Sequence, residues 1–227
     1  MTPAQPAQLP LGFEWRPAFG RDDFLVAPAN ARALATLENW RQWPDPVLLL
    51  AGPEGAGKSH LAQLWCRAVS ARFATPLEHN FKELSSLIAG GPVALEDADQ
   101  IRDESLVFHA INAARESGHA LLLTARMAPP VWQPALPDLA SRLQALNKAV
   151  LEAPDEALLS ALVIKLMADR QMVAEPRIVE AIVARIDRSF AAARDAVVRL
   201  DAASLAVRRP LSVALIKAVL APEADEP

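Results

Sequence analysis

The stretch Gly52-Pro53-Glu54-Gly55-Ala56-Gly57-Lys58-Ser59 follows the apolar run Val47-Leu48-Leu49-Leu50-Ala51 and leads into His60-Leu61-Ala62-Gln63-Leu64-Trp65, which leaves this chain few ways to fold. It reads as strand, glycine-rich loop, helix. The G-x-x-x-x-G-K-[ST] spacing lets backbone N–H groups turn inward around phosphate oxygens while the next helix directs its N-terminus at the same charge. Gly52 through Ser59, with His60, are therefore the candidate nucleotide-binding residues. Lys58 would reach the β- and γ-phosphates, and the Ser59 hydroxyl would sit on Mg²⁺, so the implied ligand is ADP or ATP with Mg²⁺.

Around this loop, apolar runs alternate with helical spacings. Ala33, Leu34, Leu37 and Trp40 fit one face of a helix over 29–40, and the helix after the loop is expected over about 60–72. A weak strand near 74–79, a helix near 81–88, a strand at Val93-Ala94-Leu95, a helix over 103–117, a strand at 121–124 and a short strand at 149–151 follow. Strands separated by helices at this spacing predict a five-stranded parallel α/β sheet covered on both faces, with the three most apolar strands in its middle. From Pro154 onward only helical patterns remain. Asp155 is placed to cap a helix carrying Leu158, Leu159, Leu162 and Leu166, Pro176 starts another with Ile178, Val179, Ile182 and Ile186, and two more are expected over about 189–206 and 211–220. The expected organisation is a proline-rich, flexible arm over 1–20, a nucleotide-binding α/β domain over 21–153, a small all-α lid over 154–221 and a disordered acidic tail over 222–227.

Composition narrows the function classes. The net charge is −4 and the basic residues form no long run, which argues against a large dedicated nucleic-acid surface. Cys66 is the single cysteine, so a disulfide framework is excluded, and its place on the helix after the loop reads as a small buried thiol. No segment has the flanks of a signal peptide or the length of a membrane span, and the expectation is a soluble cytoplasmic protein with no membrane partner.

A phosphate-loop enzyme needs carboxylates at the end of a second strand, one for the Mg²⁺ shell and one to orient the attacking water. Val93-Ala94-Leu95-Glu96-Asp97 supplies them. Glu96 is the first carboxylate and the candidate metal ligand beside Ser59, but its extra methylene shifts the oxygen by about 1.5 Å from where a shorter Asp would place it. Asp97, the candidate catalytic carboxylate, and Asp99 are the alternatives for the metal. Thr124, ending the strand 121–124, is either a γ-phosphate sensor or an ordinary strand terminus.

Several separated blocks agree with one family. Phe24-Leu25-Val26-Ala27-Pro28-Ala29-Asn30, the phosphate loop, Leu95-Glu96-Asp97-Ala98-Asp99, Leu122-Leu123-Thr124 with Pro129-Pro130, and Pro137-Asp138-Leu139-Ala140-Ser141-Arg142-Leu143 resemble the AAA+ module of the DnaA/Hda family of bacterial replication proteins, most nearly its shorter Hda branch. The resemblance covers roughly 8–221. It implies an AAA+ α/β domain with a helical lid, assembling side by side with another AAA+ subunit, and it makes Val26 a nucleotide contact. It also makes Arg142 an arginine finger acting in trans on nucleotide held by a neighbour, a role that suits a planar, permanently charged fork. No counterpart of the family's DNA-binding domain is seen, and no sequence-specific DNA binding is expected.

Gln8-Leu9-Pro10-Leu11-Gly12-Phe13 looks like a peptide for the DNA polymerase III β sliding clamp, with Gln8 for a polar pocket and Leu9, Leu11 and Phe13 for an apolar groove. In the resembled family the lid carries an arginine that touches nucleotide. Here Ala191 falls at that position, with Arg188 and Arg194 as substitutes within a turn, while Arg126 stands where the family often has Asp.

The expected partners are the DnaA initiator and the clamp, with a homo-oligomer as an alternative assembly. The expected role is a negative regulator of replication initiation that stimulates hydrolysis of DnaA-bound ATP. The competing readings are a self-contained ATPase that loads or remodels, and a DnaA-like origin adaptor.

Overall fold

The computed structural model describes residues 25–75, 81–207 and 209–221. The clamp-like peptide at Gln8, Leu9, Leu11 and Phe13 lies outside the described residues, as does most of the weak strand expected over 74–79.

Helix α1 (Pro28–Glu38) leads through a short 3₁₀ turn to strand β1 (Val47–Ala51), the glycine loop and helix α2 (Lys58–Val69). Strand β2 (Arg72–Ala74), helix α3 (Phe81–Ala89), strand β3 (Val93–Leu95), helix α4 (Glu104–Ser117), strand β4 (Leu121–Ala125), helix α5 (Pro137–Ala145) and strand β5 (Asn147–Val150) complete the α/β part. The five strands are all parallel and run in the order β2-β3-β4-β1-β5, so the three most apolar strands are indeed central.

Strand alternation decides what each residue packs against. Val47, Leu49 and Ala51 of β1, with Leu121 and Leu123 of β4, join the core beneath α3, α4 and α5, whereas Leu48, Leu50 and Leu122 join the core beneath α1 and α2. Both faces are covered, which is why these strands read as continuous apolar runs rather than alternating ones.

Several element ends differ from expectation: β2 lies at 72–74 rather than 74–79 and β5 at 147–150 rather than 149–151, and two helix ends have a clear local cause. Helix α1 stops at Glu38 because Asn39 turns its side chain onto the Ala35 carbonyl, which leaves Trp40 in the 3₁₀ turn, edge-on to Trp65 at 6.4 Å. Helix α2 begins two residues earlier than expected, at Lys58, because Gly57 takes a left-handed conformation (φ 94°) that starts the helix directly from the loop. Cys66 is buried on α2, and burial pushes its thiol up to about 12, as befits an inert core residue.

Helices α6 (Glu156–Ala168), α7 (Pro176–Val183), α8 (Phe190–Val207) and α9 (Val213–Val219) form a bundle around their own core, including Leu159, Val163, Met167, Ile182, Val197, Leu200 and Ile216. Asp155 caps α6 by accepting the Leu158 N–H at 2.7 Å. Among the described residues no helix is long and apolar enough to cross a membrane.

Candidate nucleotide site

Because the sheet is parallel, β1, β3 and β4 all end on the same edge, and the loops leaving them meet there. The glycine loop is locked into this edge by its backbone. Gly52 donates its N–H to the Ala125 carbonyl (3.2 Å), and a Cβ at Gly52 would lie 2.6 Å from the Leu151 carbonyl oxygen and 2.9 Å from the Leu151 Cβ. Gly52→Ala should therefore force the first strand and the chain after β5 apart, costing about 1–3 kcal/mol. A fall in Tm of several degrees in a thermal melt is the expected outcome, and an unchanged Tm would contradict the packing at this loop.

At the far end of the loop the geometry opens. Gly57 has no atom within 4 Å of where a Cβ would stand, while Gly55 (φ 72°) is pressed against Ser189 and Ala191, a Cβ there lying 2.6 Å from the Ser189 Cβ. The Gly55 carbonyl accepts the Phe190 N–H at 2.8 Å, so the N-terminus of α8 is hydrogen-bonded directly to the loop.

Between loop and bundle lies a cleft of 630 Å³ lined by Gly55, Gly57, Lys58, Ser59, Asp97 and Arg194 among others. Leu25, Leu162, Leu166 and Phe190 give it apolar walls; Lys165, Asp169, Glu54, His60 and Arg126 add polar and charged groups. A concave site with apolar walls and a cationic, N–H-rich loop matches the two halves of a nucleotide.

Lys58 is 7% exposed, and its Nζ donates to the Gly52 and Pro53 carbonyls at 2.8 and 3.0 Å. Burial lowers its pKa, with Asp97 and Asp99 pulling the other way and Arg126 reinforcing the fall. An ammonium this desolvated gains from an incoming phosphate.

The carboxylates sort differently from the sequence expectation. Asp97 lines the cleft; Glu96 does not, because it continues β3, donating its N–H to the Ala74 carbonyl, and chain direction changes only at Asp97 (φ 45°, ψ 48°). Asp99 accepts the Arg126 N–H on Oδ2 (3.0 Å), whereas its Oδ1 is buried without a hydrogen-bond partner. Such an orphaned carboxylate oxygen beside Lys58 fits a site that takes up a cation or ordered water. Among the described residues no three His, Cys, Asp or Glu side chains cluster to hold a metal by themselves. Asp99 does not line the cleft, so Mg²⁺ would be held by Ser59, Asp97 and phosphate oxygens together, as this ion prefers.

Thr124 is fully buried, and its Oγ1 accepts the Asp97 N–H at 2.9 Å, so it ties the ends of β3 and β4 together and does not line the cleft. Val26 is 54% exposed and outside the lining, while its neighbour Leu25 is inside it. Buried Asn30 explains the difference. It accepts the Ala27 N–H (2.9 Å) and donates to the Leu25 carbonyl (2.8 Å), which fixes this segment with Leu25 toward the cleft. Of the two arginines within a turn of Ala191, Arg194 reaches the cleft and Arg188 does not. Pro53, Ala56 and Gly52 support the loop without lining it.

Helix α6 and its C-terminal cap contribute a stripe of which the sequence pattern marked only Leu162 and Leu166, as apolar positions. Leu162, Lys165, Leu166 and Asp169 recur at i, i+3, i+4 and i+7 and form one wall of the cleft. The two polar residues interleaved in that stripe were the available signal.

Arg142 is elsewhere. It lies in the last turn of α5, outside the cleft, with its guanidinium carbon 4.5 Å above the Phe108 ring of α4. The start of α5 is held to α4 by Glu104, whose two carboxylate oxygens accept the Ala135 and Leu136 N–H groups at 2.9 and 2.7 Å.

Known structures share the fold. Domain III of the Thermotoga maritima replication initiation protein DnaA superposes with a TM-score of 0.74 at 18% identity, over 91% of this chain and 99% of that one. The chain shares the fold of that domain. DnaA bound to AMPPCP and single-stranded DNA matches with a TM-score of 0.66 at 14% identity, covering 80% of this chain and 64% of that chain. The Thermotoga maritima RuvB Holliday junction branch migration motor matches at 0.63 and 16%, covering 85% and 66%.

By sequence the chain is related at low identity to the chromosomal replication initiator protein DnaA of Cutibacterium acnes, 21% over 238 residues, covering 92% of this chain. The chain spans about half the length of that relative (47%). No protein-family model matches it.

Proposed function

We propose that this chain is an Hda-like regulator of replication initiation. It holds an adenine nucleotide, ADP in its working state, between the glycine loop and the α6–α9 lid. It is tethered to the sliding clamp through Gln8, Leu9, Leu11 and Phe13, and presents Arg142 to ATP bound by a DnaA subunit.

The observation that carries this reading is the separation of Arg142 from the chain's own cleft. The cleft already contains Lys58, Arg126 and Arg194, so its cationic groups are supplied from within, while Arg142 is held on another face by Phe108. A guanidinium ordered against an aromatic ring, at a helix C-terminus that favours cations, suits delivery to charge on a second molecule. Its product would be ADP-bound initiator.

The test is hydrolysis of DnaA-bound ATP with clamp loaded on DNA, with and without this protein. Acceleration that is lost on Gln8→Ala with Leu11→Ala supports the reading, and no acceleration by the unaltered protein removes it.

A second reading is favoured by one observation: Asp97 lies in the cleft with Lys58 and Ser59, where a self-contained ATPase needs a carboxylate. Brisk ATP turnover by the isolated protein, with neither clamp nor initiator, would select it.

A further inference from the structure

Helix α5 is nine residues long, and its start is poorly supplied from within. Its N-cap, Leu136, has no side-chain oxygen to offer, and Pro137 at its first position has no N–H. Nor does the chain before it fix its place, since residues 126–136 leave β4 without forming a further helix or strand.

The missing cap comes from another helix. Glu104, the first residue of α4, accepts the Ala135 N–H on Oε1 at 2.9 Å and the Leu136 N–H on Oε2 at 2.7 Å. Both oxygens are used, so the pair of bonds fixes direction as well as distance. A carboxylate at this end also meets the positive end of the α5 dipole. The start of α4 is itself held, because Asp103 caps it by accepting the Ser105 N–H at 3.1 Å.

The same face of α4 reaches the far end of α5. Glu104 and Phe108 stand at i and i+4, and the Phe108 ring carries the Arg142 guanidinium carbon at 4.5 Å. Leu136 and Arg142, at i and i+6, are about 9 Å apart along their own axis. Helix α4 therefore grips α5 at both ends, by charge at the start and by an aromatic ring at the end. The ring side is anchored in turn to α3, since Phe108 meets the His109 ring at 5.5 Å and His109 meets Phe81 at 4.6 Å.

We propose that Glu104 is the positioning residue for Arg142: it supplies the cap that α5 lacks and so sets where the guanidinium at the other end of that helix is presented. The inference rests on the arginine-finger reading of Arg142 and adds what fixes the finger in place. Glu104 touches neither nucleotide nor the reacting atoms. Its effect is one of placement, and a misplacement of about 1 Å is enough to lower a rate by about 10²-fold.

The experiment is hydrolysis of initiator-bound ATP, with clamp loaded on DNA, titrated with the full chain as unaltered protein, Glu104→Ala and Glu104→Gln, at a temperature below all three melts. Glu104→Ala is expected to lower the maximal stimulated rate by about tenfold to a hundredfold while the half-saturating concentration changes by less than about threefold. Glu104→Gln keeps the length and one acceptor oxygen but turns an N–H toward the second backbone donor, so it should recover part of the loss. Calorimetry should give the same ADP affinity for all three, because Glu104 does not line the cleft.

A merely structural role has another signature. Partial unfolding removes active molecules, which raises the half-saturating concentration and leaves the maximum where it was. That pattern, an undiminished maximum in Glu104→Ala, equal losses in Glu104→Ala and Glu104→Gln, or a fall in ADP affinity overturns the proposal while leaving Arg142 as the finger. If Arg142→Ala stimulates as well as the unaltered protein in the same assay, or the unaltered protein does not stimulate, the reading of the finger fails and this inference with it.

Discussion

Arg142→Ala is expected to lower the stimulation of DnaA-bound ATP hydrolysis by about 10³-fold or more, with the affinity of the chain's own cleft for nucleotide unchanged. The size follows from what a guanidinium supplies to phosphoryl transfer: a permanent charge in planar geometry, placed where negative charge accumulates and water is excluded. The selectivity follows from position, since Arg142 does not line the cleft. Arg142→Lys should recover little, because an ammonium neither forks across two oxygens nor stacks as a plane on Phe108. The supporting ring should matter by a smaller factor. Phe108→Leu keeps the apolar contact with the core but removes the aromatic face, and a loss well short of that for Arg142→Ala is expected. Single-turnover hydrolysis of radiolabelled ATP on the initiator, with clamp present, measures all three variants. Undiminished stimulation by Arg142→Ala would end the regulator reading.

How far the site could be read from the chain depended on whether its residues were local in sequence. The run Val47–Ala51, the glycine loop and the start of α2 are contiguous, and the strand–loop–helix they form needs no long-range contact to be recognised. The central position of β1, β3 and β4 was legible for the same reason: residues buried on both faces must be apolar without alternation. What was not legible depended on side-chain direction across the sheet edge. Glu96 and Asp97 are adjacent letters, yet one continues the ladder to β2 and the other turns into the cleft, and only the left-handed backbone of Asp97 separates them. Thr124 ends a strand in the expected place, but the hydroxyl is committed to the Asp97 N–H. Leu25 rather than Val26 lines the cleft because Asn30 fixes the backbone of this segment. In each case the deciding partner is a backbone group whose position the chain pattern does not encode.

The bundle shows the complementary difficulty. The apolar spacing of α6 correctly indicated an amphipathic helix with a buried face, since Leu159, Val163 and Met167 are core residues. The same periodicity hides a second, narrower stripe of Leu162, Lys165, Leu166 and Asp169 that faces the loop. Leu162 and Leu166 belong to both. A residue at such a boundary satisfies packing and ligand contact at once, so hydrophobicity alone cannot assign it. Arg194 is a clearer case, because burial lowers its pKa, as does the nearby Arg170 charge, and it lies one turn beyond Ala191 at the cleft. It is the chain's own candidate for the contact that Ala191 cannot make.

Lys58→Ala should abolish the stabilisation that nucleotide gives this protein. A ligand present at a hundred times its Kd stabilises the folded state by about 2.7 kcal/mol, which for a chain of this size corresponds to a rise in Tm of roughly 5–10 °C. The unaltered protein should show that shift with ADP or ATP and Mg²⁺, and Lys58→Ala should show none. Without nucleotide the variant should melt close to the unaltered protein, because two effects oppose each other. Removing the ammonium leaves the Gly52 and Pro53 carbonyls without its hydrogen bonds, and it also relieves the burial of a charge that is 7% exposed and desolvated enough to have a lowered pKa. The separation of the two readouts makes the test informative. A large fall in the unliganded Tm would mean that Lys58 is mainly a structural clasp for its own loop. An intact nucleotide-induced shift in Lys58→Ala would mean that the glycine loop is not where the phosphates bind.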